Sequence, residues 1–127
     1  MERRTDKKDR GAGTDGTLRE RAAILESILN GVSLLISYID KEERYVFVNR
    51  AYAWWHDIRP EEAIGKRVSE ILKPEEYARI SKNNKKALDG QRVTYENQVT
   101  DREGRERTLR VHYEPHCGGG EVKGFFS

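Results

Sequence analysis

One cysteine, Cys117, occurs among 127 residues. A lone cysteine excludes an internal disulfide framework and fits a reducing compartment. No apolar run approaches the roughly 20 residues of a membrane-spanning helix. No apolar stretch follows Met1 either, so neither a membrane span nor a signal peptide is expected. Hydrophobic residues are scarce at 35%, against a globular average of roughly 45–50% that also counts glycine. Charged residues take their place at 36%, against a usual value near ~25%. The length suits one domain with an ordinary core, and the composition leaves part of the chain outside it.

An excess of one charge sign is nearly lacking too. The net charge is +2. Residues 1–10 hold five bases and three acids, which accounts for all of it. A nucleic-acid binder carries its basic face on the folded part, so no nucleic-acid partner is expected. Residues 1–16 contain no aromatic, Ile, Leu or Val residue. Such a stretch cannot offset its ordering entropy by burial and reads as a flexible tail or linker.

A helix is expected over 17–30. Thr17 and Glu20 fit a capping box, and Asn30-Gly31 is a stop signal. Leu18, Ala22, Leu25, Ile28 and Leu29 share one apolar stripe. That stripe suits packing on its own domain and also a short seam with a second copy. Residues 31–127 form the domain proper.

Its first elements read as a hairpin, Leu34–Asp40 and Tyr45–Asn49, around the polar turn Lys41–Arg44. Asn49 is a good helix cap ahead of a short helix bearing Trp54 and Trp55. Two helical turns flank Gly65, and Pro74 opens a longer helix to Leu88. Val93–Thr100 and Thr108–Glu114 alternate as strands around the Asp101–Gly104 turn. Pro115 is expected to stop the pairing, with Cys117–Gly120 a loose loop and Val122–Phe126 a fifth strand. The pattern is an α+β domain with one antiparallel sheet and its helices on one face.

The segments Ser37–Asp40, Arg44–Tyr52, Ala63-Ile64-Gly65-Lys66, Leu88-Asp89-Gly90, Asp101–Arg105, Pro115 and Gly119–Gly124 together resemble the PAS domain family over about residues 17–127. The resemblance implies a five-stranded antiparallel sheet with helices on one face and a flanking N-terminal helix. It also implies that the last strand is truncated and that the chain is a cytoplasmic module of a longer signalling protein. PAS modules sense and dimerise. They bias an attached effector such as a histidine kinase of a two-component system, a diguanylate cyclase or a transcription regulator. In this reading Asp40 ties the first hairpin, Asn49 caps the Trp-bearing helix, and Gly65 permits a sharp turn. Homodimerisation through the N-terminal helix and sheet is expected.

Cofactor chemistry finds little support. Haem-binding relatives supply a histidine from the long helix, and Pro74–Leu88 has none. Flavin-adduct chemistry needs a cysteine in a short helix before it, and Cys117 lies elsewhere. His112, His116 and Cys117 are near in sequence, but three ligands do not close a zinc site, so no metal is expected. There is no phosphate loop, nucleophile elbow or paired-carboxylate signature, so no catalytic residue is assigned. The remaining candidate is a ligand pocket from Tyr38, Tyr52, Trp54, Trp55, Tyr77, Arg79, Tyr95, His112 and Tyr113. Adjacent helical residues point about 100° apart, so at most one tryptophan faces it. The competing reading is a ligand-free interaction and dimerisation module, in which these aromatics fill the core.

Overall fold

The computed structural model describes residues 16–127 with their side chains. Met1 and the side chains of residues 2–15, within the tail or linker expected at 1–16, lie outside the described residues. The chain divides into two units, Met1–Val32 and Ser33–Ser127. The first is the helix α1 (Glu2–Gly31). Its backbone is already helical at Gly16, so Thr17 lies within the helix and its capping box does not begin it. Leu18, Ile24, Leu25 and Ile28 are all exposed.

The second unit runs β1 (Ser37–Asp40), β2 (Tyr45–Val48), α2 (Arg50–Trp55), α3 (Pro60–Ala63), α4 (Val68–Ile71), α5 (Pro74–Leu88), β3 (Val93–Thr100), β4 (Glu106–Gly118) and β5 (Glu121–Phe126). The five strands form one antiparallel sheet in the order β2-β1-β5-β4-β3. The last strand in sequence is therefore the middle strand in space. α5 packs across β5, β4 and β3, and α3 lies against β2. Ile39, Tyr45, Val48, Tyr52, Val68, Val93, Tyr113 and Phe125 fill the core between them. Full burial of an aromatic such as Phe125 contributes about 2–3 kcal/mol.

Two boundaries differ from the sequence reading. β1 starts at Ser37, leaving Leu34, Leu35 and Ile36 outside the ladder. β4 runs straight through Pro115 and is 13 residues long. Its pairing with β3 ends at Val93 opposite Tyr113, while Pro115 pairs with Phe125 of β5. The missing N–H of Pro115 thus costs no bond to β3, because β3 has already ended. Cys117 and Gly118 are ladder residues opposite Val122 and Glu121, not a loop. Gly119 and Gly120, at φ 62° and 80°, make the tight turn between β4 and β5, where positive φ at both central residues suits the strand twist.

The outer edge of β2 is covered. The Tyr45 N–H donates to the Lys66 carbonyl at 2.9 Å, and Gly65 N–H to the Tyr45 carbonyl at 2.8 Å. Gly65 holds φ 86° there, a conformation that costs glycine little. This cover removes an edge available for pairing. The β1–β2 turn is also tied to α5. Glu43, at φ 60°, accepts from the Tyr77 hydroxyl at 3.0 Å and from Asn84 Nδ2 at 3.3 Å. Asn84 Oδ1 is the one buried side-chain oxygen among the described residues without a hydrogen-bond partner.

Candidate functional site

Asn49 organises one end of the domain. It is fully buried. Its Oδ1 accepts from Tyr52 N–H at 2.9 Å, capping α2, and from Ile36 N–H at 3.0 Å. Its Nδ2 donates to the Leu34 carbonyl at 2.7 Å. One amide thus starts the Trp-bearing helix and fixes the strand entry. Asp40 acts similarly on the first hairpin, its Oδ1 accepting from the N–H groups of Glu42 and Arg44 at 2.9 and 3.0 Å. Both residues make the bonds expected from the sequence.

Between the sheet and the helices lies a cleft of about 930 Å³, within the range of small-molecule sites. Its walls include Tyr52 and Trp55 of α2, Ile80 of α5, Tyr95 of β3, and Val111 and Tyr113 of β4. Leu34, Leu35 and Ile36, left out of β1, close one side. The rim carries both signs of charge, with Lys73, Arg79 and Arg102 against Glu76 and Asp101. Two arginines brace it. Arg79 Nη1 donates to the Gln98 carbonyl at 3.0 Å, joining α5 to β3. Arg102, on the β3–β4 turn, donates to the Trp54 carbonyl at 3.1 Å and to Asp57 at 3.0 Å.

Of the nine sequence-derived pocket residues, Tyr52, Trp55, Arg79, Tyr95, His112 and Tyr113 border this cleft. His112 does so only by its place in β4. Its ring meets Thr94 Oγ1 at 2.9 Å and Glu114 at 3.2 Å, on the strand face opposite Val111 and Tyr113. Three residues lie away from the cleft. Tyr38 points out from β1, bonding His116 Nδ1 at 2.7 Å and packing edge-on against Phe126. Trp54 is 56% exposed beneath the Arg102 guanidinium, 4.9 Å from the ring centroid. Tyr77 is turned to Glu43. The two tryptophans therefore divide as helical spacing requires.

One hydroxyl pair lines the cleft and a second joins it to the core behind, since Tyr45 is a core residue. Tyr95 and Tyr113 hydroxyls are 2.6 Å apart, as are those of Tyr45 and Tyr52. Burial pushes the Tyr45 phenol up to about 12 and raises Tyr52, Tyr95 and Tyr113 as well. His56, which the sequence reading left outside the pocket, also lines it. Its ring packs on Tyr52 at 4.4 Å, and burial lowers its pKa to about 4. The signal available was its place one residue after Trp55, at the end of the same short helix. Among the described residues no three His, Cys, Asp or Glu side chains come together as a metal-holding group.

A family model described as the PAS fold matches residues 29–127. The chain belongs to this family, whose members are generally sensor modules that commonly dimerise and bind ligands. A search of curated proteins gives no match. Among solved structures, VqmA bound to DPO is 18% identical, with TM-score 0.69 over 79% of this chain and 52% of that one. The PAS domain of Bordetella pertussis BvgS is 21% identical, with TM-score 0.67 over 84% and 82%. A PAS domain from Colwellia psychrerythraea is 20% identical, with TM-score 0.65 over 87% and 92%. The chain spans about half the length of VqmA. No helix among the described residues is long and apolar enough to cross a membrane.

Proposed function

We propose that this chain is a ligand-sensing PAS module that regulates an attached effector, such as a histidine kinase or diguanylate cyclase, in the cytoplasm. The observation that carries the reading is the cleft of about 930 Å³ with aromatic walls from Tyr52, Trp55, Tyr95 and Tyr113. VqmA, a structural neighbour, has been solved bound to DPO, which supports a small molecule in this fold. Ligand uptake would shift the sheet and bias a homodimer. The exposed Leu18, Leu25 and Ile28 of α1 supply an apolar stripe for that dimer. Haem and flavin-adduct chemistry stay outside the proposal, since α5 has no histidine and the one cysteine sits in β4.

The test is a thermal-shift screen of metabolites, repeated on a Val111→Trp variant that fills the cleft. A compound that stabilises the native chain and not the variant supports the sensor. No stabilising compound across a broad library favours the ligand-free interaction module, which the exposed Val46 and Phe126 on the sheet would then serve.

A further inference from the structure

The inner wall of the cleft has a hydrogen-bond count that does not close. Tyr95 and Tyr113 both line it, and their hydroxyls share one hydrogen bond at 2.6 Å. A phenol pair owns two O–H groups. One lies between the oxygens, so the accepting phenol keeps a spare O–H. Whichever way round the pair sits, that donor belongs to a cleft residue. Of its neighbours, Val111 and Ile80 are apolar, the Tyr45 and Tyr52 hydroxyls share a bond of their own at 2.6 Å, and Glu43 already accepts from Tyr77 and Asn84.

The same wall carries no charge. The charged residues that border the cleft stand at its rim, at Asp57 after α2, at Lys73 and along α5, and on the β3–β4 turn, while Arg110 of β4 is exposed on the strand face opposite Val111 and Tyr113. A charged group driven to the inner wall would lose its water and find no counter-ion, a costly placement. Tyr95 and Tyr113 cross edge-to-face, with ring centroids 5.4 Å apart and planes at 83°, and Trp55 adds another ring to the wall. Such surfaces favour flat, polarisable partners.

From these observations we infer that the cleft selects an uncharged, flat, ring-bearing molecule whose acceptor, a ring nitrogen or carbonyl oxygen, takes the spare O–H of the Tyr95–Tyr113 pair. This rests on the cleft being the ligand site, and it adds the class of ligand and the residues that choose it. The rim charges then act on solvent-facing substituents, and the tyrosine pair reads the acceptor.

Three bicyclic probes test it at pH 8: naphthalene, quinoline and 2-naphthoate. They match in shape and differ in acceptor and charge. Binding is followed by backbone amide NMR shifts at residues 95–99 and 109–113. Quinoline is expected to bind about fivefold to tenfold more tightly than naphthalene, the ratio one net hydrogen bond supplies, with 2-naphthoate weakest. The double substitution Tyr95→Phe with Tyr113→Phe removes both hydroxyls, since either alone leaves a donor. It should bring quinoline to the level of naphthalene while naphthalene binding persists, which also shows that the variant is folded. Equal binding of quinoline and naphthalene to the native chain overturns the acceptor assignment, and tightest binding of 2-naphthoate overturns the uncharged class. Both leave the cleft itself as a site. No shift with any probe overturns the cleft reading instead. Should the double variant not fold, the order of the three probes on the native chain still decides.

Discussion

Gly124 lies directly beneath the Tyr38 hydroxyl. A β-carbon at Gly124 would stand 2.9 Å from that oxygen and closer still to the Ile39 carbonyl oxygen. The central strand must therefore be bare at this point for Tyr38 to cross it and reach His116. Gly124→Ala puts a methyl against backbone that cannot step aside. We expect a loss of about 3 kcal/mol, at the upper end of overpacking costs. A urea melt would show it, and a midpoint within error of the native one would contradict the crowding.

Asn49→Ala should cost about 2–3 kcal/mol, since it removes a helix cap and strands the Ile36 N–H and the Leu34 carbonyl. Asn49→Asp keeps the acceptor for Tyr52 and Ile36 but loses the donor to Leu34. It should fall between the alanine variant and the native chain. If the two variants are equally unstable, the cap is not the dominant part of the residue's role.

His56 gives stability a pH dependence of known sign. Burial depresses its pKa from 6.5 to about 4. Between those values the unfolded chain binds more protons than the folded one, so stability rises with pH across this window. The contribution is fully present above about pH 6.5 and is lost as pH falls toward 4, by about 3 kcal/mol at most for such a shift. His56→Phe keeps a ring against Tyr52 without the titration. The native-minus-variant difference in unfolding free energy should flatten above pH 7 and slope between 6 and 4. A slope of the opposite sign would sink the assignment.

Arg102 braces the rim through the Trp54 carbonyl, Asp57 and the face of Trp54. These groups are largely exposed, so Arg102→Ala should cost under about 1 kcal/mol of global stability. Its local effect should be larger. Amide exchange over residues 100–105 should quicken, and Trp54 fluorescence should change as the guanidinium leaves. Unchanged exchange there would mean that the turn holds itself through Asp101, whose carboxylate already accepts from the N–H groups of Glu103 and Arg105.

Local chemistry made much of this molecule readable from its sequence. Both hairpins, the Asn49 cap, the Asp40 tie and the turn at Gly65 follow from alternation and side-chain hydrogen bonding within a few residues. The errors arise where partners are distant. Pro115 reads as a breaker until β3 is known to end opposite Tyr113. Tyr77 looks like a pocket residue on α5, but Glu43, 34 positions earlier, captures its hydroxyl. Tyr38 could have been set aside by strand parity, because Ile39 beside it belongs to the core. The burial of His56 is a product of tertiary packing, which no local pattern announces.

Because β5 lies between β1 and β4, the two hairpins share no strand until residues 121–126 join them. A chain emerging from the ribosome can make each hairpin early, through short loops that close cheaply. It cannot join them into one sheet until β5 arrives. Such late, long-range pairing slows folding and leaves unpaired strand edges exposed meanwhile. Loss of a few residues from β5 should therefore leave two unjoined half-sheets rather than a trimmed domain.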